Sequence, residues 1–342
     1  MYSRLRDFEY AGPALLLTIV LLIVTAFADS SFLSPGNWGS SLAVMSPFIL
    51  VAMAQSPAVI SGSGGLDLSV GPLAAFVGAV VVAVLGPRGI DSPLEVVPIV
   101  LVVGAATGAV NGMLVAYARI PPVVATLGTY LMLAGLALEV LPTAGGTAPH
   151  WLTALSGAVI GPVPGTLLLI AGVVAIWSVL QRTAYRRNLF AVGAEPRAAF
   201  TAGIDVARVQ ALAYVLSGTF AAVTGLAFVA LLGAGDATVP TTFTLISLAG
   251  AAVGGVALAG GRGGLLGAAT GGAVLFLLQN TLSALHVNAL YTQAVYGGAL
   301  LVALSSNLLL DVRRRHGRMR SLQFSQDVSE PDETTDEHGS QL

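Results

Sequence analysis

The chain has 342 residues, 55% hydrophobic and only 9% charged, with a net charge of −2 and a mean hydropathy of +0.85. Soluble domains carry about 25% charged residues, so this composition excludes an ordinary soluble domain and points to a chain solvated mainly by lipid. Cysteine is absent and all 15 basic residues are arginine, which excludes a disulfide framework, a cysteine metal site and a Walker-type phosphate loop, whose lysine must reach the β- and γ-phosphates.

Crossing the hydrocarbon core takes about 20 apolar residues. After a cytoplasmic N-terminus at 1–10, hydropathy predicts ten spans: 11–28, 41–60, 67–86, 96–118, 122–141, 165–181, 209–232, 243–261, 264–284 and 291–310. The first lacks a small-residue cleavage site and reads as a retained span. With 41 glycines against 12 Phe, 8 Tyr and 3 Trp, the helices are expected to pack closely through small residues. An even number of crossings with both termini in the cytoplasm puts every arginine except Arg88 on the inside, as the positive-inside rule requires. The span 243–261 is the weakest and has a re-entrant alternative.

Three segments lie outside the spans. The loop 142–164 is the longest on the outside, with Trp151 expected as an interfacial anchor. The loop 182–208 is the longest on the inside. Beyond the membrane domain (11–312), the tail 313–342 starts with the basic stretch RRRHGRMR and continues as QDVSEPDETTDEHGSQL, read as a segment near anionic headgroups followed by an acidic, disordered end.

The stretch SGSGGLDLSVG (61–71) sets one carboxylate, Asp67, among glycines. An ionisable group at membrane depth costs about 2.5–3.5 kcal/mol on insertion scales. Gly64 and Gly65 break the helix, and Asp67 or Ser69 can cap the next one; the charge of Asp67 then opposes the positive end of that helix. Gly71 completes the motif. A cap is the simpler role for Asp67, and contact with a solute is the other.

A path for a polar solute needs hydrogen-bonding groups inside the bundle. The candidates are Gln55, Asp67, Asn111, Thr126, Thr129, Gln279, Asn280 and Asn307. For Asn111 and Asn280 interhelical hydrogen bonding is the alternative. His286 and Glu139 sit near span ends. No residue set suggests a proton relay, a nucleophilic triad or a metal site, so no catalytic residue is assigned.

In the inside loop, Pro196 suits a first helical turn with Glu195 at its N-terminal end. RAAFTA continues the helix and Gly203 suits a residue that ends it. This predicts a stub of about two turns with Phe200 as an apolar knob, a shape suited to docking in a groove.

Four segments resemble, in order, the ribose-type ABC importer permeases, the membrane subunits that serve periplasmic sugar-binding proteins. GGLDLSVG (64–71) is similar to that family's Gly-Gly-Ile-Asp-Leu-Ser-Val-Gly signature. GAVNGMLVAYARIPPVVATLGTYLMLAGLAL (108–138), NLFAVGAEPRAAFTAGI (188–204) and GGVALAGGRGGLLGAATGGAVLFLLQNTLSAL (254–285) resemble its later blocks. Two departures stand out: Thr244-Leu245-Ile246 replaces a usual Glu-Leu-Asp, and Gly193-Ala194-Glu195 a commoner Gly-Gly-Asn.

The resemblance implies an all-α polytopic membrane protein of the type II importer kind that translocates a ribose-like sugar. Its implied partners are a second copy or a paralogue, a cytoplasmic ATPase dimer that holds ATP and Mg, and an extracytoplasmic solute-binding protein. No cofactor is implied in this chain, and no nucleic-acid partner. Glu195, Arg197, Ala198, Ala199, Phe200 and Gly203 become the residues coupling it to the ATPase. The alternatives are a sister permease for branched-chain amino acids, nucleosides or an autoinducer-like furanose, and an ion-coupled secondary transporter. An intramembrane enzyme would need convergent titratable groups, which the sequence lacks.

Overall fold

The computed structural model describes residues 2–29, 32, 34–160, 163–288, 291–302 and 305. In chain order the elements are α1 Tyr2–Ala28, α2 Pro35–Ile60, α3 Val70–Ala79, α4 Pro93–Gly112, α5 Pro122–Val140, α6 His150–Ala154, β1 Ala158–Ile160, β2 Val163–Pro164, α7 Thr166–Gln181, α8 Ala184–Ala194, α9 Pro196–Thr201, α10 Val206–Leu232, α11 Val239–Val253 and α12 Leu265–Ala284. A further helix, α13, covers 291–302. The chain α3 continues through π-helical Val80–Leu85 and 3-10 Gly86–Arg88, and α4 through π-helical Met113–Tyr117.

Prolines start α2, α4, α5 and α9, where the missing N–H is one that a helix leaves unpaired anyway. Thr183 caps α8 by accepting the Tyr185 N–H, and Asp205 caps α10 by accepting the Arg208 N–H at 3.0 Å.

Among the described residues, six helical stretches are long and apolar enough to cross a membrane: 36–60, 70–88, 93–117, 122–140, 206–232 and 265–284. The pair α7–α8, bent by 87°, gives a seventh if taken as one span. The polytopic helical reading therefore holds, while the segments 12–28 and 239–253 are shorter than the expected spans. The expected span at 291–310 is described only over 291–302 and at 305, and Asn307 and the tail 313–342 lie outside the described residues.

Three expectations change in detail. The stretch 243–261 is not one helix: α11 stops at Val253 and 254–264 runs without helix into α12. Gly255, Gly260, Gly261 and Gly263 all take positive φ there. Hydropathy scores this Gly/Ala-rich run as apolar, but each interior glycine costs a helix about 1 kcal/mol relative to alanine. The connector 182–208 carries an unexpected helix, α8, before the expected stub. The 142–164 loop holds a short antiparallel pair, β1–β2, an exception to the all-helical expectation. In that loop the Trp151 indole N–H donates to the Asp91 carbonyl at 2.6 Å, tying two loops together.

Helices α2 and α10 form the centre, with 89% and 72% of their apolar windows buried against 28% for α4 and α5. The outer helices expose Val124, Leu131 and Met132, a surface suited to lipid or another apolar chain. Glycine sets how closely the central helices approach. A methyl group at Gly108 of α4 would stand 2.2 Å from the Tyr214 carbonyl oxygen of α10, and one at Gly104 2.5 Å from that of Gly218. The crossing of α11 and α12 is as tight, since a methyl at Gly271 would lie 1.9 Å from the Gly250 oxygen. Such contact replaces the hydrophobic drive that lipid removes.

Candidate functional site

The break between α2 and α3 places a carboxylate at the meeting point of five elements. Chain direction changes at 61–65, where Gly62, Ser63 and Gly64 all have positive φ, at 78°, 56° and 71°. Gly64 has open space around it and serves the conformation. Gly65 and Gly71 serve proximity: a methyl at Gly65 would be 2.2 Å from the Ala58 oxygen, and one at Gly71 2.4 Å from Thr244 Oγ1.

Asp67 is 1% exposed. Its Oδ1 accepts the Ser69 N–H at 3.0 Å, the Ser69 hydroxyl at 2.6 Å and the Asn111 amide at 3.4 Å. Its Oδ2 accepts the Ser217 hydroxyl of α10 at 2.7 Å. Asn111 Nδ2 also donates to Ser69 Oγ at 2.9 Å, and Asn111 Oδ1 accepts the Thr129 hydroxyl of α5 at 2.8 Å. Gln55 of α2, in the orientation where its donor and acceptor match, donates to the Asp67 carbonyl at 2.9 Å and accepts its N–H at 3.0 Å.

The neighbouring Leu66 carbonyl accepts the Thr126 hydroxyl at 3.3 Å and that of Tyr214 at 3.5 Å. Asp67 therefore sits ahead of α3 and bonds Ser69, the residue before its first turn, but no side chain caps the helix; the expected cap gives way to contacts that reach α4 and α10. All these donors are neutral. A buried network whose members are all paired is rigid, and an unpaired member would be costly. Of the residues proposed from sequence, Gln55, Asp67, Ser69, Asn111, Thr126 and Thr129 meet here. Ser217 and Tyr214 join them unannounced by the sequence.

The second feature is a cavity of about 920 Å³ bounded by α2, α5, α10, α11, α12 and α13. Its aromatic wall is Phe48, Phe228 and Phe243, with Phe243 meeting each of the other two edge to face at 4.8 Å between ring centres. Thr241, Thr244, Gln279, Gln293 and Tyr296 supply polar points, and the Tyr296 hydroxyl donates to Gln279 Oε1. Thr244, Leu245 and Ile246, which stand in place of the usual Glu-Leu-Asp, are part of this lining. Thr244 also donates to the Leu68 carbonyl of the break at 3.3 Å. Of the proposed pathway residues Gln279 lines the cavity, whereas Asn280 is half-buried on α12 and belongs to neither feature.

The third feature is the loop of α8 and α9. The stub runs from Pro196 to Thr201, after Glu195. It ends where the Ile204 N–H bonds the Ala199 carbonyl and the Gly203 N–H that of Phe200, with Gly203 at φ 81°, the paired closing bonds of a glycine-terminated helix. Ala199 faces inward at 4% exposure and Phe200 outward at 72%. Glu195, Arg197, Ala198 and Gly203 are exposed as well, so the stub presents one outward face while Leu189, Val192 and Ala199 anchor the loop.

A helical bundle with a polar knot at a broken helix, a large cavity and a short outward stub defines a polytopic membrane protein. The sequence matches the family model described as branched-chain amino acid transport system / permease component over residues 38–304. The D-allose transport system permease protein AlsC of Escherichia coli K12 is 30% identical over 317 residues, covering 90% of this chain and 96% of that protein. The ribose import permease protein RbsC of Bacillus subtilis is 31% identical over 308 residues, covering 89% and 92%. The galactose/methyl galactoside import permease protein MglC of Salmonella typhimurium is 28% identical over 326 residues, covering 89% and 96%. No solved structure matches the chain. The chain belongs to this permease family, among the ribose-type ABC importer permeases, and is a multi-pass protein of the inner membrane.

Proposed function

We propose that this chain is the membrane-spanning subunit of a binding-protein-dependent ABC importer that moves a ribose-like monosaccharide, using ATP hydrolysed on a separate subunit. The observation that carries this reading is that permeases named for allose, ribose and galactose each align with about nine-tenths of the chain. The lack of lysine supports the division of labour, since the chain cannot supply a Walker lysine of its own.

In this reading the membrane domain crosses ten times with both termini in the cytoplasm, in the manner of a type II importer. Two copies, or this chain and a paralogue, form the path above an ATPase dimer that holds ATP and Mg. A solute-binding protein delivers the cargo outside. Gln279 and the neighbouring threonines of the cavity offer hydrogen bonds to a passing sugar. Asp67, Asn111, Thr126 and Thr129 hold the walls of the path in register. Importers fed by a binding protein need only weak binding along the way, which suits a wall of aromatic rings with scattered hydroxyl and amide groups.

Glu195, Arg197, Ala198, Phe200 and Gly203 form the docking face for the ATPase, with Ala199 as its inward anchor. Because Phe200 is exposed, Phe200→Asp leaves the fold intact. It is expected to abolish solute-stimulated ATP turnover and uptake in the reconstituted complex at unchanged membrane insertion. Normal turnover in that variant contradicts the docking assignment.

A further inference from the structure

We infer that Gly193, Gly62, Gly260 and Gly261 form a rigid joint through which displacement of the α8–α9 loop reaches the Asp67 knot; the inference rests on the importer reading given above. These glycines come from three segments far apart in sequence, and they touch main chain to main chain. A methyl group at Gly193 would stand 1.9 Å from the Ile60 oxygen and 2.5 Å from the Gly261 nitrogen. One at Gly260 would lie 2.3 Å from Gly62 Cα, and one at Gly62 2.8 Å from Gly193 Cα. The joint is closed by the Gly261 N–H donating to the Ile60 carbonyl at 3.0 Å, and Gln210 of α10 holds Ser63 Oγ at 3.1 Å.

Side chains absorb small shifts by changing rotamer, whereas closely packed backbone has no such freedom and transmits displacement. Gly193 stands two residues before Glu195, where the stub begins, and Gly62 five residues before Asp67. A push on the stub therefore reaches the knot through two short covalent runs and one stiff contact. The run 62–64 supports this role at Ser63, whose φ of 56° lies between two glycines that adopt positive φ freely and is kept by a non-glycine residue only where the surroundings over-determine it. From Asp67 the displacement passes to α3, α4 and α10 through Ser69, Asn111 and Ser217. The coupling stroke thus moves the broken helix directly.

The chain holds no cysteine, so spin labels can be placed cleanly in the full complex. Labels at Thr201→Cys on the stub and Ala259→Cys beside Gly260 span the joint, and Thr201→Cys with Phe27→Cys spans from the stub to the exposed end of α1, which lies outside that line of contacts. Between nucleotide-free and ATP-trapped complexes, the first separation is expected to stay fixed and the second to change. A first separation that changes with nucleotide overturns the joint, and so does a stub that moves relative to neither label.

A functional readout accompanies this. Gly193→Ala is expected to lower solute taken up per ATP hydrolysed about tenfold, as loss of positioning does. Gly271→Ala, an equally tight site in the α11–α12 crossing, lowers complex yield without altering that ratio. Equal ratios in the two variants contradict the inference. If the unmodified complex fails to transport, the importer reading falls instead, a result distinguishable from either outcome.

Discussion

Two aspartates in this chain use the same local device in opposite surroundings. Asp67 accepts the N–H and hydroxyl of Ser69, and Asp236 accepts the N–H and hydroxyl of Thr238, at 2.6 and 2.7 Å, together with the Val239 N–H at 2.9 Å. Both precede a helix, α3 in one case and α11 in the other. Asp236 stays partly exposed and bonds only its own turn. Asp67 is buried and adds partners from α4 and α10. The Asp-x-Ser/Thr turn thus orients a carboxylate and starts a helix, and burial turns that local device into a tie between distant segments.

The comparison is broken most severely by Asp67→Ala, which orphans the Ser69, Ser217 and Asn111 donors at once. A loss of about 3 kcal/mol is expected, since buried donors left unsatisfied cost roughly 1–3 kcal/mol each before relaxation, read as a lower thermal midpoint in detergent. Ser217→Ala removes one long-range tie and leaves the turn intact. It takes away the hydroxyl that Asp67 Oδ2 bonds and leaves that buried oxygen unsatisfied, so it should cost about 2 kcal/mol, within the roughly 1–3 kcal/mol of an orphaned buried group. A larger loss there than in Asp67→Ala would show that the turn, not the tie, is dispensable.

Asp236→Ala is the smallest, about 0.5 kcal/mol, the low end for a lost helix-start acceptor, and its effect depends on pH. Burial pushes the Asp236 carboxyl up, but the bonds from Val239 and Thr238 outweigh it and hold the group below its ordinary 3.8. The folded state thus prefers the ionised form. Its contribution is complete above the ordinary carboxylate value and fades as pH falls through the lower folded one. The difference in midpoint between wild type and Asp236→Ala should therefore vanish in acid. A difference that persists there shows that the turn does not depend on the charge.

The break at 61–71 was legible because a lone acid among glycines is conspicuous, and so was the stub, with Pro196 at its start and Gly203 at its end. Ser217 was not. Hydroxyls in apolar helices ordinarily bond their own helix, as Thr219 does to the Val215 carbonyl and Thr224 to that of Phe220, and nothing in the sequence around Ser217 marks it as different. Helix α8 was hidden by its arginines, which made the stretch read as a solvated connector, although Leu189 and Val192 are buried. The loop 254–264 was misread because hydropathy does not separate a glycine that packs helices from one that ends them. Its meeting with Gly62 and Gly193 is a tertiary fact that no local pattern carries.

The account stands on the chain being one subunit of an ATP-driven importer, and proteoliposomes test that most directly. With the ATPase partner on the cytoplasmic side and the solute-binding protein outside, labelled ribose-like sugar should accumulate only when ATP is supplied to the ATPase, and removal of either partner should stop it. Sugar accumulation by this chain alone under a proton or sodium gradient would contradict the account.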